Sequence, residues 1–313
     1  MTSETPPSPK LNSEPSSPPG SPAPEEVMAK TSPAPRRLAR VSLSAFLLPL
    51  TALPALALLH FFIPVSPPLS ALFLVSFSLV FLVLGKVTEG EDGFAVWWRA
   101  LLIGTILLLG IYISFMGIWG TFGWYVVVMT VFHFTEYLAT ALTNQNNLST
   151  DSFLLNHSPA YHIAAVASWA EFFLEFYFAP VLKSVRAVSY LGLCVCLLGE
   201  VVRKLAMAHA GRSFSHIVQS VRKEDHVLVT DGIYRFSRHP SYVGWFYWSI
   251  GTQVILCNPV CFLGYLLTSW FFFRERIAIE EESLLYFFGD AYANYKRTVP
   301  TGLPFISGCD LRN

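Results

Sequence analysis

A short basic and aromatic motif, Arg238-His239-Pro240-Ser241-Tyr242, stands at the beginning of a long apolar block. Pro240 suits the first position of a helix, because proline has a helical φ and needs no hydrogen-bond acceptor there. A helix start presents free backbone amides and the positive end of the helix dipole, and both favour a bound carboxylate or phosphate. The motif therefore predicts an anion site beside Arg238 and His239. An ordinary capped helix end at a membrane surface is the alternative interpretation.

A second charged cluster follows the last apolar block. It consists of Arg274, Glu275, Arg276, Glu280, Glu281 and Glu282. On a continuing helix Arg276 and Glu280 are four residues apart and share a face, although such pairs are commonly solvated ion pairs. The last two apolar blocks are joined by only about two residues near Asn258 and Pro259, so these blocks are predicted to form a helical hairpin. The hairpin would return Arg276 toward His239, and the two polar clusters would meet at one membrane surface.

The segment between these apolar blocks and the preceding ones, residues 211–238, alternates basic, hydroxyl and β-forming residues. Residues 226–230, the dipeptide Asp231-Gly232 and residues 233–236 have the pattern of two short strands joined by a tight turn. We therefore expect a small β-hairpin at the membrane surface.

The composition determines which elements must position these residues. Hydrophobic residues make up 53% of the 313 residues and charged residues 13%, a balance typical of a membrane protein. Eight apolar blocks are long enough to approach the roughly 20 residues that a spanning helix needs. They cover residues 41–62, 69–85, 95–115, 120–142, 159–180, 187–207, 240–256 and 259–273. The predicted fold is all-α, a polytopic membrane helix bundle with about eight transmembrane helices and a small cytosolic segment.

Three regions follow from this pattern. Residues 1–38 are rich in proline and serine and are predicted to form a disordered tail. Residues 39–208 would hold transmembrane helices one to six. Residues 209–313 would hold the polar segment, the last two transmembrane helices, and a C-terminal helix and tail.

The distribution of basic residues predicts the orientation. Lys30, Arg36, Arg37 and Arg40 precede the first apolar block, so the positive-inside rule keeps the amino terminus in the cytosol. Eight crossings then place the carboxyl terminus in the cytosol as well. Lys183 and Arg186 fall on the lumenal side in this count and disagree with the rule. The formal net charge is zero, which gives no reason to expect a nucleic-acid partner.

The pattern Gly232-x-Tyr234-x-x-x-Arg238-His239-Pro240-x-Tyr242-x-Gly244, followed by Arg276 and Glu280, resembles the isoprenylcysteine carboxyl methyltransferases. The resemblance is strongest from residue 211 to residue 306 and includes the run Gly244-Trp245-Phe246-Tyr247-Trp248. The Arg-His-Pro motif alone is also found in phospholipid methyltransferases and some sterol reductases.

This resemblance implies S-adenosylmethionine as the methyl donor. The acceptor would be a prenylated C-terminal cysteine of CaaX-processed proteins, such as small GTPases, at the cytosolic face of the endoplasmic reticulum membrane. By matched position, the residues that contact the cofactor would be Gln219, His226, Val227, Leu228, Val229, Tyr234, His239, Pro240, Ser241, Tyr242 and Glu280. Arg276 would hold the carboxylate of the acceptor. No metal is expected, because the cysteine pairs lack the further ligands of a zinc site.

These residue types suit that chemistry. A terminal carboxyl group titrates near roughly 3.5 and is ionised at neutral pH, so the reaction needs no general base. An arginine can grip one carboxylate oxygen and leave the other free to attack the methyl group. A lipid-embedded site also retains a prenyl chain, at about 0.8 kcal/mol per buried methylene.

Three other functions have related sequence features. A sterol reductase would use the Arg-His-Pro region for a nicotinamide cofactor. A phospholipid N-methyltransferase would share the donor but would methylate an amine, for which a carboxylate-binding Arg276 is poorly suited. A transporter or membrane scaffold could use Glu171 and Glu175 as intramembrane charges, or these carboxylates could simply pair with basic residues between helices.

Overall fold

The computed structural model describes residues 35–63, 65–156, 158–222 and 226–310. Within these ranges every regular element is helical, which confirms the predicted all-α class. Residues 1–34 of the predicted disordered tail lie outside the described residues. Residues 35–38 belong to the first helix, which begins at Pro35.

The helices are numbered in chain order. They are α1 (Pro35–Leu47), α2 (Ala52–Phe62), α3 (Pro67–Thr88), α4 (Glu91–Ser114), α5 (Gly120–Thr143), α6 (Pro159–Phe178), α7 (Pro180–Lys183), α8 (Arg186–Ala210), α9 (Pro240–Leu256), α10 (Pro259–Phe288) and α11 (Asp290–Thr298). A 3₁₀ turn, Leu48–Thr51, joins α1 to α2. Prolines occupy the first turns of α3, α6, α9 and α10, where a missing N–H costs no hydrogen bond.

All eight apolar blocks of the sequence are helical, but they differ in their suitability as membrane spans. Four segments are long and apolar enough to cross a membrane, namely Pro35–Phe62, Pro67–Thr88, Glu91–Ser114 and Gly120–Thr143. The helix α9 has 17 residues and is short for a hydrocarbon core of roughly 30 Å. The chain is therefore a multi-pass membrane protein, and the count of eight spans stays a prediction.

The helices α8 and α9 pack closely because glycines face each other across their contact. A Cβ atom on Gly199 would lie 2.6 Å from the carbonyl oxygen of Gly244, and one on Gly244 would lie 2.5 Å from that of Gly199. About two helical turns away, Gly192 of α8 and Gly251 of α9 likewise bring the two backbones close together. The antiparallel pair therefore brings the end of α8 against the start of α9, where Arg203 reaches Ser241.

The helices α9 and α10 form the predicted hairpin, and a buried lysine closes it at its turn. The Nζ atom of Lys183 lies 2.6 Å from Glu175 Oε2 and donates to the carbonyls of Leu256 and Cys257 and to Asn258 Oδ1. Its side chain is fully buried. Lys183 therefore links α6 to the hairpin turn. Because its charge is buried and paired within the protein, Lys183 gives little information about which side of the membrane this turn faces.

Glu171 has a related structural role. Its carboxylate accepts hydrogen bonds from the backbone amides of Val260 at 2.7 Å and Cys261 at 2.6 Å, at the start of α10. A carboxylate in this position caps the free amides and matches the helix dipole. Glu171 and Glu175 are thus both used by the fold, which removes the reason to assign them a transport role.

The predicted β-hairpin is wrong. Residues 226–230 form no ladder, and the following Gly232–Arg235 is a 3₁₀ turn. The segment packs instead on helices, because the Tyr234 hydroxyl donates to the carbonyl of Ala206 and the Tyr295 hydroxyl donates to the carbonyl of Tyr234. Contacts with α8 and α11 therefore replace the local strand pairing that the Asp-Gly pattern indicated.

Candidate functional site

A cavity lies at the start of α9, between that helix, α10 and the segment 226–229; we call it the helix-start cavity. Its volume is about 100 Å³, smaller than the roughly 300–1,000 Å³ typical of small-molecule sites. Ten of the eleven residues predicted to contact a cofactor line it, namely His226, Val227, Leu228, Val229, Tyr234, His239, Pro240, Ser241, Tyr242 and Glu280. The tertiary structure thus gathers residues that are up to 54 positions apart in the sequence.

The helix-start cavity presents main-chain groups that the protein itself leaves available. Within the described residues, the N–H and C=O groups of Leu228 and Val229 form no hydrogen bond, and neither does the N–H of Ser241. Such groups need a partner when they are removed from water. The loss of the predicted strand pairing therefore has a chemical consequence, because it leaves donors and acceptors that can read the edge of a heterocycle.

Arg238 does not face this cavity as a free anion-binding group. Its Nε atom donates to Glu281 Oε1 at 2.8 Å, and its Nη2 atom donates to the carbonyl of Ser307 at 2.9 Å. Its Nη1 atom bonds the carbonyl of Val299. The prediction that Arg238 assists an anion at the helix start is therefore wrong, because Glu281 and the C-terminal tail occupy its donors.

Glu281 is the centre of this arrangement. Its fully buried carboxylate contacts Arg238 and Lys296, accepts from His239 Nε2 at 3.2 Å, and accepts from the Cys309 amide at 3.1 Å. Burial alone would raise the pKa of Glu281, but the hydrogen bonds from His239 and Lys296 and the charge of Arg238 lower it to about 2. Glu281 therefore stays ionised, and its contacts link the Arg-His-Pro motif to α10, α11 and the C-terminal tail.

Arg276 and Glu280 are joined through one tyrosine. The Tyr242 hydroxyl accepts from Arg276 Nε at 2.9 Å and donates to Glu280 Oε2. The ring of Tyr242 stacks on that of His239, with centroids 5.6 Å apart and planes inclined by 6°. The prediction that the two polar clusters meet is therefore confirmed.

A second cavity lies on the other side of Tyr242 and contains Arg276; we call it the arginine cavity. Its lining includes Arg99, Leu154, Ile217, Gln219, Trp245 and Arg276. It shares Phe214, Ser215, Ser241 and Tyr242 with the helix-start cavity. Gln219 lies here and not in the helix-start cavity, and its amide donates to Ser215 Oγ at 2.9 Å. The two cavities are thus neighbours with a common wall.

Sequence reasoning missed a buried carboxylate behind that wall. Glu136 of α5 pairs with Arg203 through two N–O contacts of 2.6 Å, contacts Lys204, and accepts from His216 Nε2 at 2.8 Å. Arg203 in turn donates to Ser241 Oγ at 2.7 Å. The signal was present in the sequence, because Glu136 is the one acidic residue in the apolar block 120–142, and such residues are commonly functional or paired.

Comparison with known proteins agrees with this geometry. Residues 190–286 match the isoprenylcysteine carboxyl methyltransferase family. The protein-S-isoprenylcysteine O-methyltransferase of Tribolium castaneum is 54% identical over 225 residues, which cover 71% of this chain and 80% of the relative. The enzyme of the same name from Homo sapiens is 53% identical over 211 residues, covering 67% and 74%.

The fold agrees as well. A solved structure of a eukaryotic intramembrane Ras methyltransferase, an isoprenylcysteine carboxyl methyltransferase, superposes with a TM-score of 0.84 at 46% identity. The match covers 87% of this chain and 99% of the other. Sequence identity over most of each chain, the shared fold and the site motif lead to the same conclusion: this chain belongs to the isoprenylcysteine carboxyl methyltransferase family.

Proposed function

We propose that this chain transfers a methyl group from S-adenosylmethionine to the C-terminal carboxylate of a prenylated cysteine, with the donor in the helix-start cavity and the acceptor in the arginine cavity. One observation carries the assignment. Tyr242 forms the common wall and hydrogen-bonds both Arg276 and Glu280. A positive group on one side and a negative group on the other match the acceptor carboxylate and the ammonium group of the donor.

The residues of the helix-start cavity fit the donor. The free main-chain groups of Leu228 and Val229 can pair with the edge of the adenine ring, and the start of α9 at Pro240 can receive the methionine carboxylate. Glu280 can pair with the ammonium group. S-adenosylmethionine supplies a sulfonium-bound methyl group, which is already electrophilic. Among the described residues, no group of three or more His, Cys, Asp or Glu side chains is placed to hold a metal ion.

Arg276 has the geometry expected of an acceptor clamp. Its Nε atom is held by Tyr242 and its Nη2 atom donates to the carbonyl of His216 at 2.5 Å. Within the described residues its Nη1 atom makes no hydrogen bond. A guanidinium group fixed on one edge can bind a carboxylate on the other with a defined orientation. Because the acceptor is already ionised, orientation and exclusion of water are the tasks left to the protein.

The wider setting follows from the family. We propose prenylated, CaaX-processed proteins such as small GTPases as acceptors, since the solved relative is a Ras methyltransferase. We also propose the endoplasmic reticulum membrane as the location, with both termini and the catalytic face in the cytosol and with eight membrane crossings.

A direct test is a radiolabelled methyl-transfer assay on purified protein in liposomes, with N-acetyl farnesylcysteine as the acceptor. We expect base-labile radioactivity in the ester product, saturating with both substrates. The methyl ester of the same compound is the matched control, because its carboxylate is blocked. Methylation of phosphatidylethanolamine in place of the acid, or tight binding of NADPH, would refute the proposal in favour of the related enzymes.

A further inference from the structure

The position of Arg276 depends on a loop that has little structure of its own. This loop, residues 214–222, follows the 3₁₀ turn Gly211–Ser213 and contains no helix or strand. Its carbonyl at His216 accepts a hydrogen bond of 2.5 Å from Arg276 Nη2. A contact that fixes the position of His216 therefore also fixes one edge of the Arg276 guanidinium group.

His216 is held by the buried carboxylate of α5. Its Nε2 atom donates to Glu136 Oε2 at 2.8 Å, across 80 positions of sequence. Glu136 is itself fixed by Arg203 and Lys204 and is fully buried. A carboxylate with this many donors has one orientation, and the hydrogen bond to His216 transmits that orientation to the loop.

Further contacts hold the two ends of the loop. At its end, Arg222 Nη1 donates to the carbonyl of Phe287 at 2.8 Å. The amide of Asn144, just after α5, donates to the carbonyl of Phe214 at 2.6 Å. That bond fixes the beginning of the loop, but it lies two residues before His216 and does not define the direction of the His216 carbonyl. The peptide plane of that carbonyl is held locally, because the amide of Ile217 donates to Ser215 Oγ at 3.2 Å. The imidazole bond to Glu136 is the contact that ties this part of the loop to α5.

From these contacts we infer that His216, anchored by Glu136, is a positioning residue for the acceptor clamp Arg276, so that acceptor binding depends on a carboxylate of α5 that touches no substrate. The inference rests on the proposed role of Arg276. It predicts a separation of effects, because the donor cavity has supports besides the loop residues Phe214 and Ser215 that line it: Glu281 holds His239, and Arg203 holds Ser241.

The test uses His216, not Glu136. Removing Glu136 would leave the buried guanidinium group of Arg203 without its carboxylate partner, which is strongly destabilising in its own right. His216 is partly exposed, with 19% of its side chain accessible, and His216→Ala removes only the anchor. The conservative variant His216→Gln keeps an N–H donor at a similar reach. His209→Ala is the matched control, because His209 is exposed and, among the described residues, its ring hydrogen-bonds the carbonyl of Leu205 in its own helix.

We expect His216→Ala to raise the KM for N-acetyl farnesylcysteine by about tenfold or more, as small displacements of positioning groups do. The dissociation constant of S-adenosylhomocysteine should stay within about twofold, a difference of about 0.4 kcal/mol. His216→Gln should recover most of the acceptor affinity, and His209→Ala should behave as the parent chain. A merely structural role would weaken donor and acceptor binding together, or would lower the melting temperature without changing the KM of the folded enzyme.

A double substitution separates this inference from the proposed function. Arg276→Lys keeps a positive charge but removes the Nε and Nη2 geometry, so His216→Ala should add little to its acceptor KM. Full additivity of the two effects, or an unchanged acceptor KM in His216→Ala, would overturn the positioning role alone. An unchanged acceptor KM in Arg276→Lys and in Arg276→Ala would instead overturn the proposed clamp.

Discussion

The two ends of the α9–α10 hairpin both carry charged side chains but use them differently. At the turn, Lys183 contacts four acceptors and Glu171 caps two amides, so the charges are fully engaged by the protein. At the opposite end, Arg276 lines a cavity and uses its Nε and Nη2 atoms, and its Nη1 atom makes no hydrogen bond among the described residues. A buried charge is costly unless it is paired. Unused hydrogen-bonding capacity beside a cavity therefore distinguishes the candidate site from the structural end.

The same contrast exists within the site. Glu280 and Glu281 are adjacent in sequence, yet Glu281 is surrounded by Arg238, His239 and Lys296, whereas Glu280 has Tyr242 as its hydrogen-bond partner among the described residues. One carboxylate is committed to the fold and the other remains available to a ligand. Neighbouring residues on a helix point about 100° apart, so identical chemistry can serve two purposes.

The largest effect is expected for Arg276→Ala. We expect methyl transfer to fall by at least about a hundredfold, because the acceptor carboxylate loses its orienting group. The dissociation constant of S-adenosylhomocysteine should change little, as measured by titration calorimetry. Arg274→Ala is the control, because that side chain stacks over Trp270 outside both cavities. Equal losses of donor binding and turnover would contradict the division between the two cavities.

At the structural end, Lys183→Met should reduce stability and leave the chemistry intact. Removing one partner of a buried ion pair typically costs about 3–5 kcal/mol, and Lys183 also supports three further acceptors at the hairpin turn. We expect a lower melting temperature in detergent with unchanged KM values for the folded fraction. Arg186→Met, at an exposed position nearby, should have little effect. A raised acceptor KM in Lys183→Met without loss of stability would contradict the purely structural role of the hairpin turn.

A smaller effect is expected for Glu280→Gln. The substitution keeps the shape of the side chain but removes the charge that would pair with the donor ammonium group, so the dissociation constant should rise by about tenfold. The acceptor KM at saturating donor should stay nearly constant. Glu282→Gln is the control, because Glu282 lines a separate cleft on the other side of α10. An unchanged dissociation constant would remove Glu280 from the donor site.

A change of pH near neutrality is expected to have the smallest effect on stability. The folded pKa of Glu281 is lowered from 4.5 to about 2, so its stabilising contribution is fully present above the unfolded pKa and is lost as pH falls toward 2. Thermal melts should therefore be insensitive to pH from about 6 to 8 and should shift downward below about 4.5. Glu281→Gln should remove part of that acid dependence and should lower stability at neutral pH. An unchanged acid profile in this variant would show that other carboxylates dominate.

Much of the helical organisation could be predicted because it is local. Pro240 begins its helix as expected, and the spacing of Arg276 and Glu280 placed both on one face of α10. Ten of the eleven proposed donor contacts line one cavity. Residues 226–236 could not be predicted in the same way, since Tyr234 and Tyr295 pack that segment on helices and prevent strand pairing.

The sequence by itself determined the membrane class and the helix start at Pro240, because these depend on composition and on spacings of a few residues, and its resemblance to a known family supplied the candidate site residues. Only the tertiary structure decided which charges the fold would use and which would remain available. That selection depends on pairings between distant residues, such as Glu136 with His216 and Arg238 with Glu281. Hydrogen-bond partners of this kind are set by the packing of helices, and no local pattern specifies them.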